Sequence, residues 1–244
     1  MKKRNQMKIF YYKTIFLVFV STFSYSQNTE KNMTNKVPNS VEIVDSHLDQ
    51  FFDEDADIVV FDEIKSEIIH RDVFFIKATK ERPYHILLSC GMSALPMNVP
   101  EDIESSEFAE IMILLPKEWN LNSESFSDER NYWPIRIMKE LMMLPHPNKT
   151  WLGFGHTFGH ENDDELAEGI GFNSVMLASS MELSTDFTQI ELKNDKVIDI
   201  YTLIPLYKEE LEFKKKNSAS DLLERFDKFG IDEIVKIGRK NVCK

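Results

Sequence analysis

A chain of 244 residues, 42% hydrophobic and 11% aromatic, can bury one sizeable core of about 200 residues, which excludes a disordered or low-complexity protein. Its 41 acidic against 29 basic side chains give a formal charge of −12, so a nucleic-acid backbone would be repelled and a basic protein attracted. Cys90 and Cys243 are the only cysteines, too few for a disulfide framework and without the local pairing of a zinc ribbon or a thioredoxin-like motif.

Lys2, Lys3, Arg4, Lys8 and Lys13 precede the apolar stretch from Ile15 to Phe23, and Ser24-Tyr25-Ser26-Gln27 follows it. That order is a basic region, a short hydrophobic region and a small-x-small cleavage site, and it predicts export to the periplasm or the medium with cleavage after Ser26. The apolar core of about ten residues falls short of the ~20 that span a bilayer, so no stable membrane insertion is expected after cleavage. An uncleaved amino-terminal tether is the alternative, since Tyr11 and Tyr12 extend the apolar segment. Removal of residues 1–26 discards five positive and no negative charges and takes the formal charge from −12 to −17. Residues 27–40 are polar, lack periodicity and contain Pro38, which predicts a flexible spacer before a single domain over 41–244.

Val41, Val44, Leu48, Phe51 and Phe52 recur at three- and four-residue steps behind Ser40 as a cap, which predicts an amphipathic helix. Strands are expected at Asp57 to Phe61, Val73 to Ala78, Tyr84 to Cys90 and Ala109 to Leu115, with Pro116 closing the last. Cys90, inside an apolar run, is expected to be a small buried hydrophobe. Ile135, Met138, Leu141 and Met142 share one side of a helix expected over Trp133 to Leu144, with Pro134 in its first turn and Pro145 ending it. Further strands are expected at Trp151 to Phe158, Ser174 to Ala178, Phe187 to Leu192 and Val197 to Ile204, with a hairpin turn at Asn194-Asp195. From Tyr207 to Phe229 the pattern is helical, broken near Asn217 to Ser220, capped anew by Ser220 and ended by Gly230. The order of helices and strands is that of an α+β fold, a mixed and mainly antiparallel sheet with packed helices, rather than a regular βαβ alternation.

Few residues carry a signature of chemistry. His146, His156 and His160 form the one histidine cluster, and Glu161, Asp163, Asp164, Glu165 and Glu168 follow it, a set that a metal-assisted hydrolase could use. The glycines around His156 argue against a helix there, and on a strand positions 156 and 160 lie about 13 Å apart, too far to share an ion. The carboxylates do not have calcium-loop spacing, and no serine or cysteine sits in a nucleophile elbow. Gly153-Phe154-Gly155 lacks the rest of a phosphate-binding glycine motif, and its aromatic filling points to packing. Lys214-Lys215-Lys216 follows Glu209, Glu210 and Glu212, the mixed signs of a solvated helix. No catalytic, cofactor or resident metal site is therefore expected.

Several separated blocks, in order, resemble the SUFU (Suppressor of fused-like) domain family, bacterial type. They are Tyr84 to Ser93 with Pro96-Met97, Ala109 to Pro116 with Trp119, Trp133-Pro134-Ile135-Arg136, Trp151 to Thr157, Ile200 to Tyr207 with Glu209-Glu210, and Leu222 to Phe226. The resemblance implies a non-catalytic protein-binding module. Animal members bind and restrain transcription factors, and bacterial members are thought to be immunity proteins that neutralise toxins. It also implies a protein partner, here a basic toxin domain attracted by the acidic chain. The second half of the animal proteins is missing from this chain, and an export signal is atypical of a cytoplasmic immunity protein. Trp151, Phe154, His156, Phe158 and His160 are the candidate partner-binding residues, on a strand a partner could extend or cross.

Overall fold

The computed structural model describes residues 40–53, 56–62, 68–159, 162 and 164–244. The expected export signal and spacer, as far as residue 39, lie outside the described residues, as do His160, Glu161 and Asp163.

Helix α1 (Ser40–Leu48) leads into β1 (Ile58–Phe61), β2 (Asp72–Ile76), β3 (Tyr84–Cys90) and β4 (Phe108–Pro116), an antiparallel meander. Helix α2 (Glu129–Met143) and the single turn α3 (Pro145–Asn148) follow. Then come β5 (Thr157–Gly159), β6 (Ser174–Ala178), the turn α4 (Thr185–Thr188), β7 (Gln189–Glu191), β8 (Val197–Leu206) and helices α5 (Lys208–Lys216) and α6 (Ala219–Lys228). The sheet has eight strands in the order β1-β2-β3-β4-β8-β6-β5, with β7 also on β8. Among the described strand pairs only β4–β8 is parallel. The ten residues of β8 meet β4 and β7 through their first half and β6 through their second.

Strands β3 and β6 are buried along their whole length, and β4 as far as Leu115, because both faces of the sheet are covered. Strand β3 divides its side chains by alternation: Leu87 faces the cluster that α2 completes with Trp133, Ile137, Met138 and Leu141. Ile86, Leu88 and the buried Cys90 face the opposite cluster, which α1 completes with Val44 and Leu48 and the α4 turn with Phe187. Toward β6, helices α5 and α6 cover that second face with Leu211, Leu222 and Phe226. Each such fully buried apolar side chain contributes about 1.5–3 kcal/mol. The expected α+β architecture is the observed one, and both cysteines are free thiols.

Helix α1 ends at Leu48, short of Phe51 and Phe52, several strands differ by one or two residues, and three further boundaries differ from the sequence expectation. Helix α2 begins at Glu129, not Trp133, because the Asp128 side chain accepts from Arg130 N–H and caps it. Pro134 therefore sits in the helix interior, where its missing N–H leaves the Arg130 carbonyl without the usual partner. The cap of α6 is Ser218 rather than Ser220, its Oγ accepting from Asp221 N–H at 3.1 Å. Finally, Phe187 belongs to the α4 turn and only Gln189–Glu191 pair as a strand. The turn at Asn194-Asp195 is where it was expected, with Asp195 at a φ of 58°.

Candidate partner-binding surface

Strand β5 closes one end of the sheet, and the segment before it is not the continuous strand that its apolar run predicted. His156 N–H donates to Gly153 O at 3.1 Å, closing a four-residue turn with Phe154 and Gly155 at its centre. Gly155 has a φ of 78° while Phe154 has an ordinary negative one, the pattern of a type II turn that calls for glycine at its third position. Gly155 N–H also donates to Leu177 O at 2.8 Å, and His156 O accepts from Leu177 N–H at 2.9 Å. Two residues thus oppose one on β6, a bulge with a left-handed glycine in the first position. An added Cβ on Gly155 would stand 3.0 Å from Ala219 Cβ at the start of α6.

This turn and bulge decide where each candidate side chain goes. Phe154, at the tip, is 45% exposed, one of the few large apolar side chains left in solvent. Trp151 turns back to meet the His156 ring at 4.2 Å between centroids and, like Phe158, lies half-buried against the core. Burial holds the His156 imidazole below its usual range; its hydrogen bond to the Trp151 backbone carbonyl opposes this, and Lys214 adds to it. His146 is drawn elsewhere, its Nε2 3.2 Å from Met92 O, and burial lowers its pKa against that hydrogen bond. Among the described residues no three His, Cys, Asp or Glu side chains are grouped to hold a metal ion. Asp164, Glu165 and Glu168 are exposed, with Glu165 accepting from Gly169 N–H. Lys215 and Lys216 are exposed and Lys214 half-buried in the last turn of α5, the solvated helix that the mixed charges predicted.

Four carboxylates are buried among the described residues, Asp72, Glu110, Glu210 and Glu233, and went unnoticed in the sequence. Glu110 on β4 accepts Ser89 Oγ, Gly91 N–H, Ser93 N–H and Ser93 Oγ, and so holds the Gly-Met-Ser turn after β3. Burial raises its pKa, against the pull of those four hydrogen bonds. The same turn presents Met92 O to His146, and His146 lies in α3, just ahead of Trp151. Glu210 receives both arms of Arg239 at 2.6 Å, and the guanidinium also sits over Phe172, Tyr207 and Phe226. Glu233, in the carboxy-terminal segment, accepts Ser180 Oγ, Met181 N–H and Glu182 N–H. The one sequence signal was a lone glutamate in the apolar run Ala109 to Leu115. A carboxylate there needs local donors to be tolerated.

Comparison with known proteins gives one consistent answer. The family described as Suppressor of fused protein (SUFU) matches residues 68–240. A SUFU homolog from Neisseria gonorrhoeae FA 1090 is structurally similar, with a TM-score of 0.59 and 18% identity over 84% of this chain and 97% of that one. A chain of the Sufu-Fu complex aligns with a TM-score of 0.59 and 14% identity over 85% of this chain and 93% of that one. Drosophila Suppressor of Fused aligns with a TM-score of 0.52 and 13% identity over 84% of this chain and 51% of that one. No curated protein sequence matches the chain.

Proposed function

The chain belongs to the Suppressor of fused family, and from that membership we propose that it is a non-catalytic protein-binding domain whose partner docks on the turn and edge strand from Trp151 to Phe158. One observation carries the choice of surface: a left-handed glycine and a bulge at the sheet edge hold an aromatic side chain, Phe154, out in solvent. Edge bulges re-aim side chains and end pairing, and an aromatic so placed is a natural anchor for a partner. That a related structure is a complex, Sufu-Fu, supports a protein as the ligand class. The finer identity is an immunity protein, exported and cleaved after Ser26, whose acidic mature chain attracts a basic toxin domain.

The test is direct binding between the purified chain and purified basic toxin domains encoded beside it, titrated over salt. A complex whose association rate falls as salt rises is expected. If none of these pairs binds at low salt, the immunity reading is wrong. If a non-basic protein binds instead through Phe154, the binding module stands and only the partner class changes.

A further inference from the structure

Strand β4 runs from Phe108 to Pro116, but β8 accompanies it only as far as Met112, where Thr202 is its partner. Beyond that point β8 turns to β6, and the edge of β4 it leaves is filled from the carboxy-terminal segment. Ile234 forms a parallel bridge with Leu114, and Val235 N–H donates to Leu114 O at 2.9 Å. Val235 is 2% and Glu233 1% exposed, while Lys236 and Ile237 on the same short stretch face solvent. Glu233 ties the stretch to the loop after β6 through Ser180 Oγ, Met181 N–H at 3.0 Å and Glu182 N–H at 3.3 Å.

The stretch is bounded by Gly230 and Gly238, at φ 66° and 76°, with open space where either Cβ would stand. Backbone rotation, not packing, asks for glycine at both ends. Outside these two points the chain is firmly held, by α6 before and by the Arg239–Glu210 pair after. Between them it is held by the bridge at Ile234, the buried Val235, the Glu233 carboxylate, the half-buried Ile231 and Ile234, and a hydrogen bond from Ile231 N–H to Phe226 O at 2.8 Å beside the first hinge. We propose that residues 231–237 form a strap, hinged at Gly230 and Gly238, that lifts from β4 as a unit and yields that edge to an extended partner segment. Such a segment would carry a carboxylate in the place of Glu233 and a branched apolar side chain in the place of Val235. The three donors at 180–182 require the first, and the buried site beside Leu114 the second. The strap does not depend on the Phe154 surface.

Hydrogen exchange on the full chain, with and without a synthetic peptide of residues 231–237, tests this. The amides of Met181, Glu182 and Val235 should exchange together and faster than those of Ile111 to Ile113 in β4. Glu233→Ala, or the milder Ser180→Ala should the first not fold, should speed that exchange about tenfold while leaving Val242 N–H, which donates to Glu210, unchanged. The peptide should then restore protection at Met181 and Glu182, and a peptide with alanine for its glutamate should not. Exchange of these amides only at the rate of the β4 core, in wild type and variants alike, would overturn the strap. A peptide that protects nothing in either variant would overturn the partner segment.

Discussion

Replacing Arg239 by methionine should cost the fold about 3–5 kcal/mol, the range for breaking a buried ion pair from one side. Its guanidinium is 6% and the Glu210 carboxylate 0% exposed, and the two meet through both arms at 2.6 Å. Arg239 also donates to Pro205 O and Lys240 O, each at 2.9 Å. Without the cation, Glu210 keeps only Tyr207 N–H and Val242 N–H, each at 3.1 Å, for a charge that has left water. Against a total stability of about 5–15 kcal/mol this is a large fraction. In urea, with a slope of about 2–3 kcal/mol per molar, the midpoint should fall by about 1–2 M at unchanged slope. The double variant Arg239→Met with Glu210→Met should recover most of the loss, because two apolar side chains leave no orphan charge behind. A midpoint shift under about 0.5 M for the single variant, or a double variant worse than the single, would refute the argument that this pair is buried and coupled.

Three further outcomes follow from the geometry. Gly155→Ala should destabilise by about 1–2 kcal/mol, since its φ of 78° disfavours a side chain and the new Cβ would crowd Ala219; equilibrium unfolding reads the loss, and an unchanged midpoint would mean the turn adapts freely. His85 accepts from Ala78 N–H through Nδ1 and meets Lys117 O through Nε2, which assigns the neutral ring with its proton on Nε2. Burial lowers its pKa, so its contribution is complete above the unfolded value of about 6.5 and is lost as the pH falls through the lower folded value. Stability should therefore decline more steeply below pH 6.5 in the wild type than in His85→Gln, and equal slopes would contradict this. Elemental analysis of the purified protein should find no stoichiometric metal; a bound ion lost on His156→Ala would revive a metal-assisted hydrolase built on His146, His156 and His160.

Most of the architecture was legible in the sequence, because strands buried on both faces are unbroken apolar runs between polar breaks. Tyr84–Cys90 and Ser174–Ala178 have the same bounds in both. The start of α2 was not, because its first turn, Glu129-Arg130-Asn131-Tyr132, lacks the apolar periodicity that marks the buried part, and Pro134 imitates a helix start. The Trp151 segment misled for another reason. An apolar run does not distinguish a strand from a turn packed on the core, and the bulge is defined by Leu177, a residue on another strand. The buried glutamates were illegible because their partners are remote: Glu110 meets Ser93 across 17 positions and Glu210 meets Arg239 across 29. No local pattern announces such a pair.

The claim that this chain binds a protein through the Phe154 turn is tested most directly by paired captures from its own source cells. Wild-type chain and Phe154→Asp, a change at an exposed tip that should alter the unfolding free energy by less than about 0.5 kcal/mol, are compared by mass spectrometry of what each retains. A protein enriched on the wild type and lost from Phe154→Asp, then shown to bind as a purified pair, is the predicted result. Equal retention by both chains would contradict the surface, and no enriched protein on either would contradict the binding function itself.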